Sequence, residues 1–172
     1  MNNNTPHLVV ISAPSGTGKT TLVRALLANN NNMVASISYT TRTKRANELD
    51  GEDYNFVTND VFESMIANGD LLEYAKVFDN YYGTPKKEVN EQLSSGHNVI
   101  LEIDWQGATQ VKQKVADCLL LFILPPSKNE LMNRLQKRGT DSNEQIKMRF
   151  DEALNDIKQF EHFDRVFVNQ DI

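Results

Sequence analysis

The chain predicts an α/β fold, a parallel sheet flanked by helices and interrupted by an inserted α+β lobe. Three observations lead there. Apolar, β-branched runs recur at residues 8–12, 34–38, 99–103, 119–124 and 166–168, and they are continuous rather than alternating. Continuous runs mark strands buried on both faces, which is how parallel sheets read. Amphipathic stretches at 19–27, 105–115, 128–138 and 143–160 separate most of them, as crossover helices must. The third observation is a break in this rhythm: residues 38–95 are polar and aromatic-rich, with extended pieces at 53–57 and 71–78. Between those pieces, 60–68 reads as a short helix closed by Gly69.

The first strand runs straight into Ala13-Pro14-Ser15-Gly16-Thr17-Gly18-Lys19-Thr20-Thr21. A strand that ends in a Gly-rich turn and closes on Gly-Lys-Thr builds a cradle for a nucleoside triphosphate. Backbone N–H groups wrap the phosphates, Lys19 reaches the transferring end, and the Thr20 hydroxyl is placed for Mg²⁺. Leu22, Val23, Leu26 and Leu27 then recur at helical spacing, so the loop opens a helix whose N-terminus favours anions. The strict pattern begins with glycine. Ala13 stands there instead, which is harmless only if its φ is negative. The four asparagines at 29–32 read as a solvated helix-to-strand loop.

A chain of 172 residues suits one domain with a sizeable core. Its net charge of −5 argues against a protein that coats nucleic acid. Basic residues nevertheless cluster at Arg42, Lys44 and Arg45 and at Arg134, Lys137 and Arg138, a pattern that fits small phosphorylated ligands. The one cysteine, Cys118, follows the pattern of a buried apolar side chain, and no Cys/His spacing suggests zinc. No apolar run approaches a membrane span, and residues 1–6 lack a signal-peptide pattern. The expectation is a reduced cytoplasmic setting without a membrane partner. The chain stops four residues after Val168, the last apolar strand residue. Because a doubly wound sheet usually covers its last strand, the expectation is that a C-terminal helix is absent.

Phosphoryl transfer rests on positioning and charge stabilisation, so the remaining polar clusters can be sorted by task. For an acceptor's phosphate, Arg42 and Arg45 share a loop after a strand, with Tyr54 and Tyr82 further on. Arginine forks bind phosphate bidentately, and tyrosine hydroxyls add donors without charge. Taken singly, each also reads as a solvated cation or a core aromatic. For Mg²⁺ or ligand, Glu102 and Asp104 end an apolar strand on one face; Asp104 is equally suited to cap the helix that follows. For cations that close over the transferring group, Arg134 and Arg138 lie four apart, and Arg138 falls on the side of Leu131. Arg149 lies about 40° from the edge of the stripe formed by Ile146, Phe150, Ala153, Leu154 and Ile157. The plainer reading of Arg134 and Arg138 is that they complement a helix C-terminus.

Taken together, segments 12–21, 36–45, 51–57, 72–75, 80–84, 101–107, 124–127 and 134–140 resemble the guanylate kinases, in that family's order and spacing. The resemblance implies a P-loop NTPase-type core (1–37, 96–126 and 151–172), a GMP-binding lobe (38–95) and a helical lid (127–150). It implies Mg²⁺-dependent transfer of the ATP γ-phosphate to GMP or dGMP, giving ADP and GDP. ATP would lie on residues 13–21, that is Ala13, Pro14, Ser15, Gly16, Thr17, Gly18, Lys19, Thr20 and Thr21, with Arg138 and Asn169 at the adenine. GMP would be held through its phosphate by Arg42, Arg45, Tyr54 and Tyr82, and at the guanine end by Ser38, Glu73, Thr84 and Asp104, with Glu102 nearby. Lys19, Arg42, Arg138 and Arg149 would share the transition-state charge, and Thr20 and Asp104 would face the metal. The physics agrees at the base: guanine donates from N1–H and its amino group, whereas adenine would leave buried acceptors unpaired. Ala13, Thr84 (where serine is frequent) and Gln170 (within the usual Asn-Asp pair) depart from the pattern. Two alternatives stand beside this reading: a non-catalytic interaction module of the same family and a P-loop kinase for a phosphorylated sugar. The first would lose phosphate-loop or lid cations that are present here. The second would have no use for a base-reading set. The sequence leaves room for a homo-oligomer.

Overall fold

The computed structural model describes residues 5–77, 79–137 and 142–171. Its core is a five-stranded sheet built from β1 (Leu8–Ser12), β2 (Met33–Ala35), β7 (Asn98–Glu102), β8 (Leu119–Leu124) and β9 (Arg165–Val168). The order is β2-β7-β1-β8-β9, and each neighbouring pair is parallel. β1 therefore lies at the centre, with Val10 opposite Leu101 on one side and Leu120 on the other.

Successive residues of a strand face opposite ways, so the apolar run of β1 feeds two cores. Val10 joins Val99, Leu101 and Leu120 on one face, covered by Ala108 and Val111 of α4 (Trp105–Lys114). Ile11 joins Ile100 and Ile123 on the other, covered by Val23 of α1 (Lys19–Ala28). Full burial of each large aliphatic side chain stabilises by about 1.5–3 kcal/mol, and that is why the continuous apolar pattern is decisive for these strands. Cys118 packs in the first of these cores, as its apolar neighbours predict.

The inserted lobe holds its own sheet, ordered β4-β3-β6-β5. Its strands are β3 (Tyr39–Thr40), β4 (Asn55–Phe56), β5 (Leu71–Val77) and β6 (Asn80–Pro85), with α2 (Asn59–Asn68) on one face and α3 (Lys86–Ser94) returning to the core. Leu72 of β5 and Val89 of α3 pack into the core cluster with Val10 and Leu101, so the lobe is rooted in the same apolar body. Phe62 of α2 is fully buried and stacks on Tyr81, with ring centroids 5.3 Å apart. A Cβ at Gly83 would stand 2.9 Å from Phe62 Cζ, which leaves no room for any other residue there.

Several expectations need correction. The sequence pattern does not reveal β6 and α3: Asn80–Pro85 carries Gly83 and Pro85, which read as turn chemistry, and α3 buries only Val89. The strand expected at 34–38 ends at Ala35, and residues 36–38 cross from one sheet to the other. The extended piece at 53–57 forms a strand only over Asn55–Phe56, with Tyr54 bridging back to Asp50. The helix expected over 143–160 is α6 (Asn143–Ile157), continued by a 3₁₀ turn at Lys158–His162. α5 (Lys128–Lys137) packs on α6 through Leu131, Leu135 and Ala153.

Candidate active site

Between β1 and α1 the chain adopts the expected phosphate-loop conformation. Gly16 and Gly18 have φ of +89° and +85°, values that only glycine adopts without strain. Gly16 has a second reason to be glycine: an added Cβ would lie 3.0 Å from Leu135 Cδ2 of α5. Asp79 is the one non-glycine with positive φ among the described residues, so Ala13 sits in ordinary backbone and its methyl adds no strain. Thr17 Oγ1 donates to the Pro14 carbonyl at 2.9 Å and pins the turn. Gly18 caps α1 with no side-chain hydrogen bond, leaving the first-turn N–H groups for an anion.

Lys19 and Thr20 lean towards the carboxyl end of β7. The Lys19 ammonium donates to the Ile103 carbonyl at 3.2 Å. Enclosure there pushes its pKa down, against the raising pull of Glu102, Asp104 and Asp156. Thr20 Oγ1 donates to Glu102 Oε1. Asp104 Oδ1 accepts from Gly107 N–H at 2.8 Å and caps α4, while Oδ2 accepts from Gln106 at 3.3 Å. The capping reading of Asp104 is thus realised, and it fixes the carboxylate at the mouth of the cleft. Next to it, Trp105 Nε1 donates to Asp156 Oδ1 of α6 at 3.1 Å. Burial, helped by Asp104, lifts the Asp156 carboxyl to about 6.

Across the cleft the lobe gathers Arg42, Arg45, Tyr54 and Tyr82. The Arg42 guanidinium lies 5.4 Å from the Tyr54 ring centroid and 5.7 Å from that of Phe56. Tyr54 meets Tyr82 edge to face at 5.9 Å. Burial raises the Tyr54 hydroxyl to about 12, so it remains a donor at neutral pH. Arg45 keeps most of its side chain exposed. Sequence reasoning missed the carboxylate that organises this group: Glu48 accepts two hydrogen bonds from Arg42, at 2.7 and 3.0 Å. Its only signal in the sequence was a position three residues after Arg45.

Deeper in the lobe, Glu73 is 3% exposed and Thr84 is fully buried. Thr84 Oγ1 donates to Glu73 Oε1 at 2.6 Å. Burial lifts the Glu73 carboxyl to about 7, with Asp104 adding to it and Thr84 and Lys114 opposing. Gly107 lies against Glu73 Oε2 so closely that any Cβ there would overlap it. α4 therefore carries the Asp104 and Glu73 surroundings on one rigid element. Ser38 is half-buried at the lobe's first crossing, where its carbonyl accepts from Asn55 N–H at 2.9 Å.

On the far side of the phosphate loop, Gly16, Gly18, Thr21, Arg134 and Gln170 line a cavity of about 440 Å³. Asn169 Nδ2 donates to the Thr17 carbonyl at 2.8 Å, tying the end of β9 to the loop. Arg134 does not point into the cleft as a loose cation. It is 8% exposed, pairs with Glu130 at 2.8 Å, and donates to the carbonyls of Asn169 and Gln170. Arg149 is half-buried on α6, where its charge acts on Glu152. Arg138 lies outside the described residues.

Comparison with known proteins bears on this arrangement directly. The family model described as "Guanylate kinase" matches residues 5–172. A guanylate kinase of Alkalilimnicola ehrlichii is 48% identical over 164 residues, which is 95% of this chain and 81% of the relative. One from Hydrogenovibrio crunogenus is 50% identical over 162 residues, 94% and 79% of the two chains. The crystal structure of a guanylate kinase from Anaplasma phagocytophilum superposes with a TM-score of 0.81 at 35% identity, covering 97% of this chain and 78% of that one. With its P-loop α/β core, inserted lobe and facing carboxylate and arginine sets, the chain belongs to the guanylate kinase family.

Proposed function

We propose that this chain transfers the γ-phosphate of ATP to GMP, and to dGMP, giving ADP and GDP. The observation that supports it most is the pairing across one cleft of two unlike sites. On one side an uncapped helix N-terminus and Lys19 offer donors and charge for a triphosphate. On the other, a buried carboxylate on Thr84 lies below a tyrosine-lined arginine cluster, which suits a base at one end and a phosphate at the other.

In this reading residues 13–21 cradle the ATP phosphates, and the cavity beside Arg134 receives the adenine, for which Asn169 and Arg138 are the candidate contacts. Arg42, Arg45, Tyr54 and Tyr82 hold the GMP phosphate. Glu73 and Asp104 accept from the guanine N1–H and amino group, while Ser38 or Thr84 donates to O6, and Glu102 borders the acceptor. One GMP phosphate oxygen attacks the γ-phosphorus in line as the bond to ADP breaks. Lys19, Arg42, Arg138 and Arg149 balance the charge that spreads over the equatorial oxygens. The lobe (38–95) and lid (127–150) close on the core (1–37, 96–126 and 151–172) and exclude water. The ion pair between Arg24 of α1 and Asp53 of the lobe, at 3.3 Å, already links the two sides.

The donor set near Thr20 suits Mg²⁺, a hard cation that takes oxygen ligands and prefers to share them with phosphates. Thr20 and Glu102 offer a hydroxyl and a carboxylate, with Asp104 beyond. Among the described residues, no three His, Cys, Asp or Glu side chains could hold a metal by themselves. Bound there, Mg²⁺ would neutralise charge on the β- and γ-oxygens. The described helices include none long and apolar enough to cross a membrane; with its buried lone thiol, the chain suits a reducing cytoplasm, where it serves purine nucleotide metabolism.

A coupled assay of ADP release with GMP, dGMP, AMP and ribose bisphosphate as acceptors tests the reading. Release with GMP and dGMP alone is expected. Release with the sugar bisphosphate would point to a sugar kinase, and no release with any acceptor to a binding module.

A further inference from the structure

We propose that Glu48 is a positioning residue of the acceptor-phosphate site, holding Arg42 and Arg45 so that a matched pair of Arg42 N–H groups faces the phosphate. This rests on the reading of Arg42 and Arg45 as the cations that bind the GMP phosphate.

A guanidinium has five N–H groups in a fixed fork. Both hydrogens of Arg42 Nη1 are used, one by the Thr43 carbonyl at 2.8 Å and one by Glu48 Oε2 at 3.0 Å. One hydrogen of Nη2 goes to Glu48 Oε1 at 2.7 Å. Glu48 thereby takes the end-on edge of the fork. What it leaves is Nε–H and the second Nη2 hydrogen, and those two run parallel along the side-on edge. A parallel pair is what two phosphate oxygens accept best.

Three further contacts make Glu48 a fixed post. Its Oε2 accepts the Arg45 backbone N–H at 2.8 Å. Its Oε1 lies 3.6 Å from Arg45 Nη1. The Glu48 N–H donates back to the Arg45 carbonyl at 3.2 Å, closing the turn. Arg42 and Glu48 are both largely buried, at 14% and 15% side-chain exposure, and the Tyr54 and Phe56 rings hold the guanidinium from its faces. The hydrogen bond from Arg42 keeps Glu48 ionised by drawing its pKa down. A single carboxylate thus sets both the rotation of Arg42 and the path of the backbone that carries Arg45.

The opposite role has the opposite sign. If Glu48 were a stand-in anion that phosphate must displace, its neutralisation would tighten GMP. The test is steady-state kinetics on the full chain with E48Q, E48D, R42A and R42A/E48Q, with thermal melting of each. E48Q should raise KM for GMP by about 10–100-fold, the worth of a hydrogen bond to a charged group, with KM for ATP nearly unchanged. E48D, which keeps the charge but falls short of the fork, should raise it less. In the R42A background E48Q should add little, because the two act through one contact. The proposal is overturned by an E48Q enzyme with lower KM for GMP, or by one in which GMP and ATP suffer equally alongside a lowered Tm. It is also overturned, on its own, if R42A raises KM for GMP and E48Q and E48D do not. If R42A itself leaves KM for GMP unchanged, the phosphate assignment falls and takes this role with it.

Discussion

Replacing Glu73 by glutamine keeps the shape of the side chain and an acceptor for the Thr84 hydroxyl, removes the charge, and puts an N–H₂ donor in place of one oxygen. In the native chain burial, with Asp104, lifts the carboxyl from 4.5 to about 7. At roughly 1.4 kcal/mol for each pKa unit, ionisation there is about 3 kcal/mol harder in the folded chain than in the unfolded one. Between 4.5 and about 7 the folded chain keeps a proton that the unfolded chain has released. Stability from this group therefore falls as pH rises through that window. Glutamine has no proton to lose. The unfolding free energy of E73Q relative to wild type should accordingly increase by about 2–3 kcal/mol between roughly pH 5 and pH 8. Urea unfolding followed by circular dichroism at the two pH values measures it. The same variant should raise KM for GMP by about 10–100-fold, because an amide N–H₂ would face the guanine donors where a carboxylate accepted from them. A stability gap that ignores pH would show that Glu73 ionises normally. An unchanged preference for GMP over AMP would show that it does not read the base.

Three other outcomes follow from the same geometry. Lys19→Met should lower kcat by about 10²–10³-fold without lowering Tm, since the ammonium is held where enclosure disfavours its charge; rapid-quench turnover and a thermal melt check the two halves. Gly107→Ala should weaken GMP binding and destabilise by about 1–3 kcal/mol, because its methyl would overlap the Glu73 carboxylate; calorimetric titration with GMP reads the first effect. Trp105 is the only tryptophan, and its indole donates to Asp156, whose pKa is about 6. Intrinsic fluorescence should therefore titrate near that pH, and Asp156→Asn should abolish the titration.

The donor half of the site is legible in the sequence because it is contiguous. A strand, two glycines needing positive φ, a lysine and a threonine follow one another over a short stretch, and local backbone geometry dictates the rest. The acceptor half is legible only through resemblance. Arg42 and Tyr54 lie between β3 and β4, Glu73 on β5, Tyr82 on β6 and Asp104 just after β7, and each alone has an ordinary explanation. Arg134 shows the limit of a helical wheel: its spacing allows a cleft-facing cation, but the open carbonyls of Asn169 and Gln170 capture it. α3 escapes detection because one buried valine makes no periodic signal.

By itself, then, the sequence determined the α/β class, the order of the buried strands along the chain and the phosphate loop, since hydrophobic periodicity and glycine placement act over a few residues. Only tertiary structure decided how α4 brings Asp104 and Gly107 against Glu73, and how Glu48 claims one edge of Arg42. Those pairings depend on which side chains meet after segments distant in the chain have packed. Burial then shifts the ionisation of Glu73 and Asp156 up and that of Lys19 down, and no local pattern encodes that.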